Sequence, residues 1–165
     1  MSKLSHIDAS GAASMVDVGD KPVTRRVAVA EAFVDVSPAL AAAIRENSLA
    51  KGDLLVVARL AGVQAAKRTD ELIPLCHSLP LDVVDVQATL TLADAASHHV
   101  RIVATASTHS RTGVEMEALV AAGVAALTVI DMGKAIDRAM VVRGLRVLEK
   151  RGGRGGEYVA KDRVP

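Results

Sequence analysis

Two stretches of strict alternation limit what this chain can fold into. Val84, Val86, Ala88, Leu90 and Leu92 fall on every second position, as do Val100, Ile102, Ala104 and Ala106. Successive strand side chains point to opposite faces, so each run places its apolar residues on one side. The intervening Ala-Asp-Ala-Ala-Ser-His segment supplies a turn, and the pair predicts an antiparallel hairpin with one buried face. His98 and His99 are expected in that turn, in contact with solvent.

The rest of the chain reads around this hairpin. Val27, Val29, Phe33, Val34 and Val36 give a strand, and Ser37-Pro38 signals a helix from Ala39 to Asn47. Lys51-Gly52-Asp53 reads as a turn, Leu54 to Ala58 as a short buried strand, and Ala58 to Asp70 as an alanine-rich helix. Ile73 to Pro80 must be a structured loop, because its two prolines remove donors and bias the residues before them to extended geometry.

Thr112 and Glu115 have capping-box spacing, and apolar residues continue to Met140, which predicts a long helix. Gly123 and Gly133 are expected to mark close contacts or bends within it. Val141 to Leu148 is the last strand.

The order strand, helix, strand, helix, strand, strand, helix, strand points to an α+β fold. The expectation is a ferredoxin-like sandwich, a mainly antiparallel sheet with helices on one face. The other face is expected to present small apolar residues to a second subunit.

At 165 residues the chain is the size of one compact domain. Residues 1–20 read as a flexible arm, 21–150 as a single catalytic domain and 151–165 as a basic, glycine-rich flexible tail.

Phe33 and Tyr158 are the only aromatic residues besides histidine, so the core is packed from Ala, Val, Leu and Ile. Single-strand nucleic-acid binders need rings to stack bases, and this chain has almost none. A net charge of +1 gives no global attraction to polyanions, so any anion site is local. Cys76 is the sole cysteine and cannot form an intramolecular disulfide. The first residues lack the apolar core of a signal peptide, and no long uncharged apolar run is present. A cytoplasmic protein with no membrane partner is expected.

Four groups of residues are able to carry chemistry. Lys67 and Arg68 precede a loop presenting Cys76 and His77, and cations of this kind suit phosphate oxygens. The ordinary reading is that they balance a helix dipole and that Cys76 is a structural thiol. Glu115 and Glu117 open the long helix; one can cap it while the other faces a cleft and binds a guanidine-like edge. Asp131 and Lys134 share a helix face in a mostly apolar stretch, where a charged pair is costly unless it has a task. A surface ion pair is the plain alternative. Lys150, Arg151 and Arg154 among glycines can close over phosphates or form a solvated tail. The chain has no Walker or Rossmann glycine pattern and no zinc spacing, so no metal site is expected.

Taken in order, these segments resemble the molybdenum cofactor biosynthesis protein C family over most of the chain. The resemblance rests on Lys51-Gly52-Asp53, on Ala65-Ala66-Lys67-Arg68-Thr69 followed by Leu72-Ile73-Pro74-Leu75-Cys76-His77, on Thr112 to Leu119, and on Asp131-Met132 with Lys134-Ala135. It implies a lyase that converts 3′,8-cyclo-7,8-dihydroguanosine 5′-triphosphate to cyclic pyranopterin monophosphate and pyrophosphate. It further implies a homo-oligomer, a hexamer built as three dimers with sites at subunit boundaries, and no bound cofactor, with any Mg²⁺ requirement left open.

By the same resemblance Leu75, Cys76, His77, Met116 and Glu117 line the substrate pocket. Asp131 is catalytic with Lys134 as its partner, and Lys51, Lys67, Arg26, Glu115 and Lys150 are phosphate or catalytic contacts. The chain departs from the family pattern at Ser78, usually proline, and at Ile130, usually tyrosine. A nucleotide-binding domain without catalysis and a purely structural oligomer are the rival readings from the residues alone.

Overall fold

The structure, a computed structural model, describes residues 11–92, 98–153 and 155–161. In chain order the elements are β1 (Thr24–Val36), α1 (Pro38–Arg45), α2 (Leu54–Ala66), α3 (Thr69–Leu72), β2 (Val83–Leu92), β3 (His98–Ser110), α4 (Glu115–Gly133), β4 (Val141–Arg151) and β5 (Tyr158–Val159). The strands form one sheet in the order β2-β3-β1-β4-β5, and every adjacent pair is antiparallel.

The alternating stretches behave as expected. β2 and β3 pair from Val83 with Ser107 to Leu92 with His98, and Val86, Val100, Ile102, Ala104 and Ala106 are all buried. β1 lies between β3 and β4, with Ala28, Ala30, Ala32 and Val34 on the same buried face. Grouping the three consecutive helices α1 to α3, the order reduces to β-α-β-β-α-β with a short added edge strand, an arrangement of the kind the α+β expectation calls for.

Three local expectations are corrected. Leu54 to Ala58 is not a strand but the start of α2, because Asp53 Oδ1 accepts from Val56 N at 3.0 Å and caps a helix there. Its buried residues Leu54, Ala58, Gly62, Ala65 and Ala66 then follow helical spacing. The β-branched pair Val56-Val57, half-exposed on the outer surface, made this stretch look extended. Thr112 does not cap α4. That helix begins at Glu115 after Val114, with no side-chain cap, and ends at Gly133 instead of Met140.

The third correction concerns His98 and His99. Both belong to β3 and are half-buried, with His99 edge-on to Phe33 at 5.4 Å between ring centroids. The turn itself, residues 93–97, lies outside the described residues, as do residues 1–10 of the arm and Arg154. The tail contributes β5, whose Tyr158 and Val159 pair with Lys150 and Glu149.

The core is the layer between sheet and helices. Helix α4 stacks Ala118, Ala121, Ala122, Ala125 and Ala126 in it, all fully buried, so α2 and α4 approach closely. At Gly62 a Cβ would lie 2.8 Å from the carbonyl oxygen of Ala121, so only glycine fits the crossing. Gly133 does mark a contact, a Cβ there meeting Leu40 at 2.7 Å, whereas Gly123 has ordinary space. By length and composition α4 is able to cross a membrane, but its alanine face is in the core of the sandwich.

The centre of the opposite sheet face is charged where small apolar residues were expected. Glu31, 2% exposed, receives Arg101 at 2.9 Å and Arg146 at 3.0 Å, while Asp35 holds Arg143 at 2.9 Å. Arg143 also stacks over the Phe33 ring at 4.9 Å. Alternation along β1 produces this: the alanines turn to the helices and the odd-numbered residues turn away.

Candidate active site

The start of α4, the loop after α3 and the ends of β1 and β4 converge at one edge of the sandwich. Two adjoining clefts lie there. One, of about 340 Å³, is lined by Val16, Val18, Lys21, Leu75, Cys76, His77, Leu79, Met116 and Glu117, among others. Its neighbour, of about 420 Å³, is lined by Lys21, Arg26, Arg111, Lys150, Arg151 and Gly152, among others. Lys21, Thr112, Gly113 and Glu115 belong to both walls, so the clefts form one continuous surface.

Leu75, Cys76, His77, Met116 and Glu117 are thus brought together, with Arg26, Glu115 and Lys150 beside them. Glu115 faces Lys150, whose Nζ lies 3.2 Å from Oε1. A Cβ on Gly113 would meet the end of that flexible side chain, which would have to shift to make room. Arg26 donates to the carbonyls of Ser110 at 3.4 Å and Arg111 at 3.3 Å, which fixes its guanidinium at the mouth of the basic cleft. Gly152 has φ +94°, and a Cβ there would overlap the carbonyl oxygen of Arg25; the chain leaves β4 while still packed on β1.

Glu117 is 4% exposed. Burial first, then the charges of Glu115 and Asp70, push its carboxyl up to about 7, against the pull of its own backbone N–H. The Cys76 thiol is also raised, by burial and then by Glu117 and Asp70. A thiol kept protonated is a poor nucleophile, which favours the structural reading of Cys76. His77 Nε2 lies 3.0 Å from the carbonyl of Val16, pinning the segment before β1 to the loop.

Asp131 and Lys134 are elsewhere. They sit at the far end of α4, where Lys134 Nζ lies 2.6 Å from Oδ1 and Lys51 Nζ 2.8 Å from Oδ2 of Asp131. The two ammonium groups hold the carboxyl at about 2, through hydrogen bonds first and charge second. The expectation of an apolar setting for this pair does not hold, since Asp131 faces solvent with its side chain 56% exposed. Fourteen residues of helix separate Glu117 from Asp131, roughly 21 Å at 1.5 Å per residue. One chain therefore carries two separate clusters. Lys67 is exposed at the end of α2 and lines neither cleft.

Lys21, Arg111 and Val16 were not singled out individually from the sequence. The alternating Val16 and Val18 were the available signal that residues 15–18 are placed and not a featureless arm. Among the described residues, no three His, Cys, Asp or Glu side chains gather as a metal cage requires.

Residues 15–153 match the MoaC family. The chain is 52% identical over 162 residues to the cyclic pyranopterin monophosphate synthase of Thermomicrobium roseum, covering 98% of this chain and 96% of that one. It is 53% identical over 155 residues to cyclic pyranopterin monophosphate synthase 1 of Mycobacterium tuberculosis, covering 94% and 89%. The synthase of a Methylobacterium species is 53% identical over 160 residues, covering 97% and 98%.

Proposed function

We proceed from the fact that this chain belongs to the MoaC family, and propose that it is a cyclic pyranopterin monophosphate synthase of molybdenum cofactor biosynthesis. It converts 3′,8-cyclo-7,8-dihydroguanosine 5′-triphosphate to cyclic pyranopterin monophosphate and pyrophosphate, in the cytoplasm. The observation that carries the reading is the junction of a carboxyl-and-imidazole wall with a cation-lined cleft. A ring with a guanidine-like edge fits the first and a triphosphate the second.

Each group then has a task. Glu117, titrating near 7, exchanges a proton with or hydrogen-bonds to the ring edge, and His77 beside it supplies a second proton-carrying group. Arg26, Arg111 and Lys150 hold phosphate oxygens and stabilise charge on the departing pyrophosphate. Asp131, ionised at neutral pH, orients the Lys51 and Lys134 ammonium groups, so that Lys134 carries the proton exchanged with the substrate while Asp131 holds it in place. Lys67 is a further phosphate contact in this reading.

The two clusters act on one substrate when a second subunit places its Lys51, Asp131 and Lys134 over the clefts. A hexamer of three dimers, with shared sites, satisfies this. No bound cofactor enters any step.

The test is incubation of the pure protein with the cyclised guanosine triphosphate derivative, with and without a Mg²⁺ chelator, followed by mass-spectrometric detection of the cyclic monophosphate. Its formation is the expected result. Ligand binding with no product would move the chain to a nucleotide-binding role.

A further inference from the structure

The loop that presents His77 is held by side chains. Among the described residues, positions 77 to 79 make no backbone-to-backbone hydrogen bond; the nearest are Cys76 N to Ile73 O before them and Asp82 N to Ser107 O after them. Three side-chain tethers replace them. His77 meets the Val16 carbonyl, the Ser78 hydroxyl donates to Asp70 Oδ2, and Thr108 donates to the Pro80 carbonyl. Of these, the Ser78 tether is adjacent to His77 in sequence and reaches a fixed platform. Asp70 lies in α3, whose first residue Thr69 is buried and donates to Ala66 O at 3.0 Å.

We propose that Asp70 and Ser78 are a positioning pair that holds the His77 imidazole in the wall of the substrate cleft, an inference that rests on the synthase reading for its effect on rate. Asp70 acts on the same cleft through its charge. Glu117 is faced by Glu115 from its own helix, by Asp70 from α3, by Cys76 and His77 from the loop and by Lys21 from the segment before β1. Asp70 is among the negative charges that keep Glu117 protonated, so one residue ties the loop and biases the acid.

The experiment compares Ser78→Ala, Ser78→Thr and Asp70→Asn with the wild type in pyrophosphate release across pH, together with the NMR signal of the His77 ring. Ser78→Ala is expected to lower kcat/KM about tenfold through misplacement of His77, and Ser78→Thr, which keeps a hydroxyl, to restore it. Asp70→Asn retains an oxygen for Ser78 but moves the Glu117 limb of the pH profile to lower pH. The ring signal is expected to change in Ser78→Ala and to return in Ser78→Thr, a reading independent of turnover. Wild-type kcat/KM in Ser78→Ala, failure of Ser78→Thr to restore, or an unmoved profile in Asp70→Asn overturns the pair. A wild type that turns nothing over refutes the synthase reading, and an unchanged His77 signal in Ser78→Ala then still refutes the pair.

Discussion

Lys51 Nζ bonds Asp131 twice, donating to its backbone carbonyl at 3.0 Å and to Oδ2 at 2.8 Å across 80 residues of sequence. The turn before α2 is thereby tied to the last turn of α4. Since Lys134 holds the other carboxylate oxygen, Asp131 sets the position of two ammonium groups at once. Removing one ammonium leaves the other still anchored, whereas removing the carboxylate frees Lys134 and leaves Lys51 only its bond to the Asp131 backbone carbonyl. Lys51→Ala is expected to cost less in kcat than Asp131→Ala; the reverse order in steady-state assays would show that Asp131 does not organise the trio.

The separation of the two clusters along α4 makes a second prediction. Glu117→Gln and Asp131→Ala are each expected to be nearly inactive when prepared alone. Unfolded together and refolded as a mixture, they are expected to regain a substantial fraction of wild-type activity, because some sites receive an intact Glu117 from one chain and an intact Asp131 from the other. A mixture no more active than its parents would place both residues of each site in one chain.

Glu117 also makes stability depend on pH. Its folded carboxyl titrates near 7 and the ordinary value is 4.5, so between these the folded state binds more protons than the unfolded one. Stability from this group is present below about 4.5 and is lost as pH rises through 7. The loss amounts to up to about 3 kcal/mol. Urea midpoints should fall for the wild type over that interval and stay flatter for Glu117→Gln. Parallel curves would mean that Glu117 is not buried as described.

Gly62→Ala tests the crossing of α2 and α4. Intrinsic propensity favours alanine in a helix by about 1 kcal/mol. The new Cβ, however, would lie 2.8 Å from a backbone oxygen and 3.2 Å from Val86, neither of which is a flexible chain end. Net destabilisation of about 1 to 3 kcal/mol is expected in chemical denaturation. An unchanged or raised midpoint would show that the helices are less closely packed.

Where two-residue periodicity was unbroken, as in β2 and β3, the sheet was legible from the sequence because one face meets the core and the other does not. Leu54 to Ala58 was misread because its β-branched residues sit on the outer surface of α2, and the decisive signal, the Asp53 cap, is a single residue. Thr112 had capping spacing without the geometry, since the helix begins only at Glu115, after Val114, and no side chain caps it. For the site, Leu75 to His77 and Met116-Glu117 stood out by resemblance, and the structure adds why they meet. Lys21 and Arg111 went unnoticed because isolated cations carry no periodicity; only the closing of β1 on β3 brings them to one cleft. The solvent exposure of Asp131 was equally hidden, since its neighbours are apolar and only the helix end decides which way it points.

The most direct test of the synthase reading is pyrophosphate release from 3′,8-cyclo-7,8-dihydroguanosine 5′-triphosphate by the wild type and by Asp131→Ala, measured with substrate binding on the same samples. The account predicts steady release by the wild type and a fall in kcat of at least about a hundredfold in the variant, with binding changed far less. Release by the variant at the wild-type rate, or none from a wild type that binds the substrate, would contradict it.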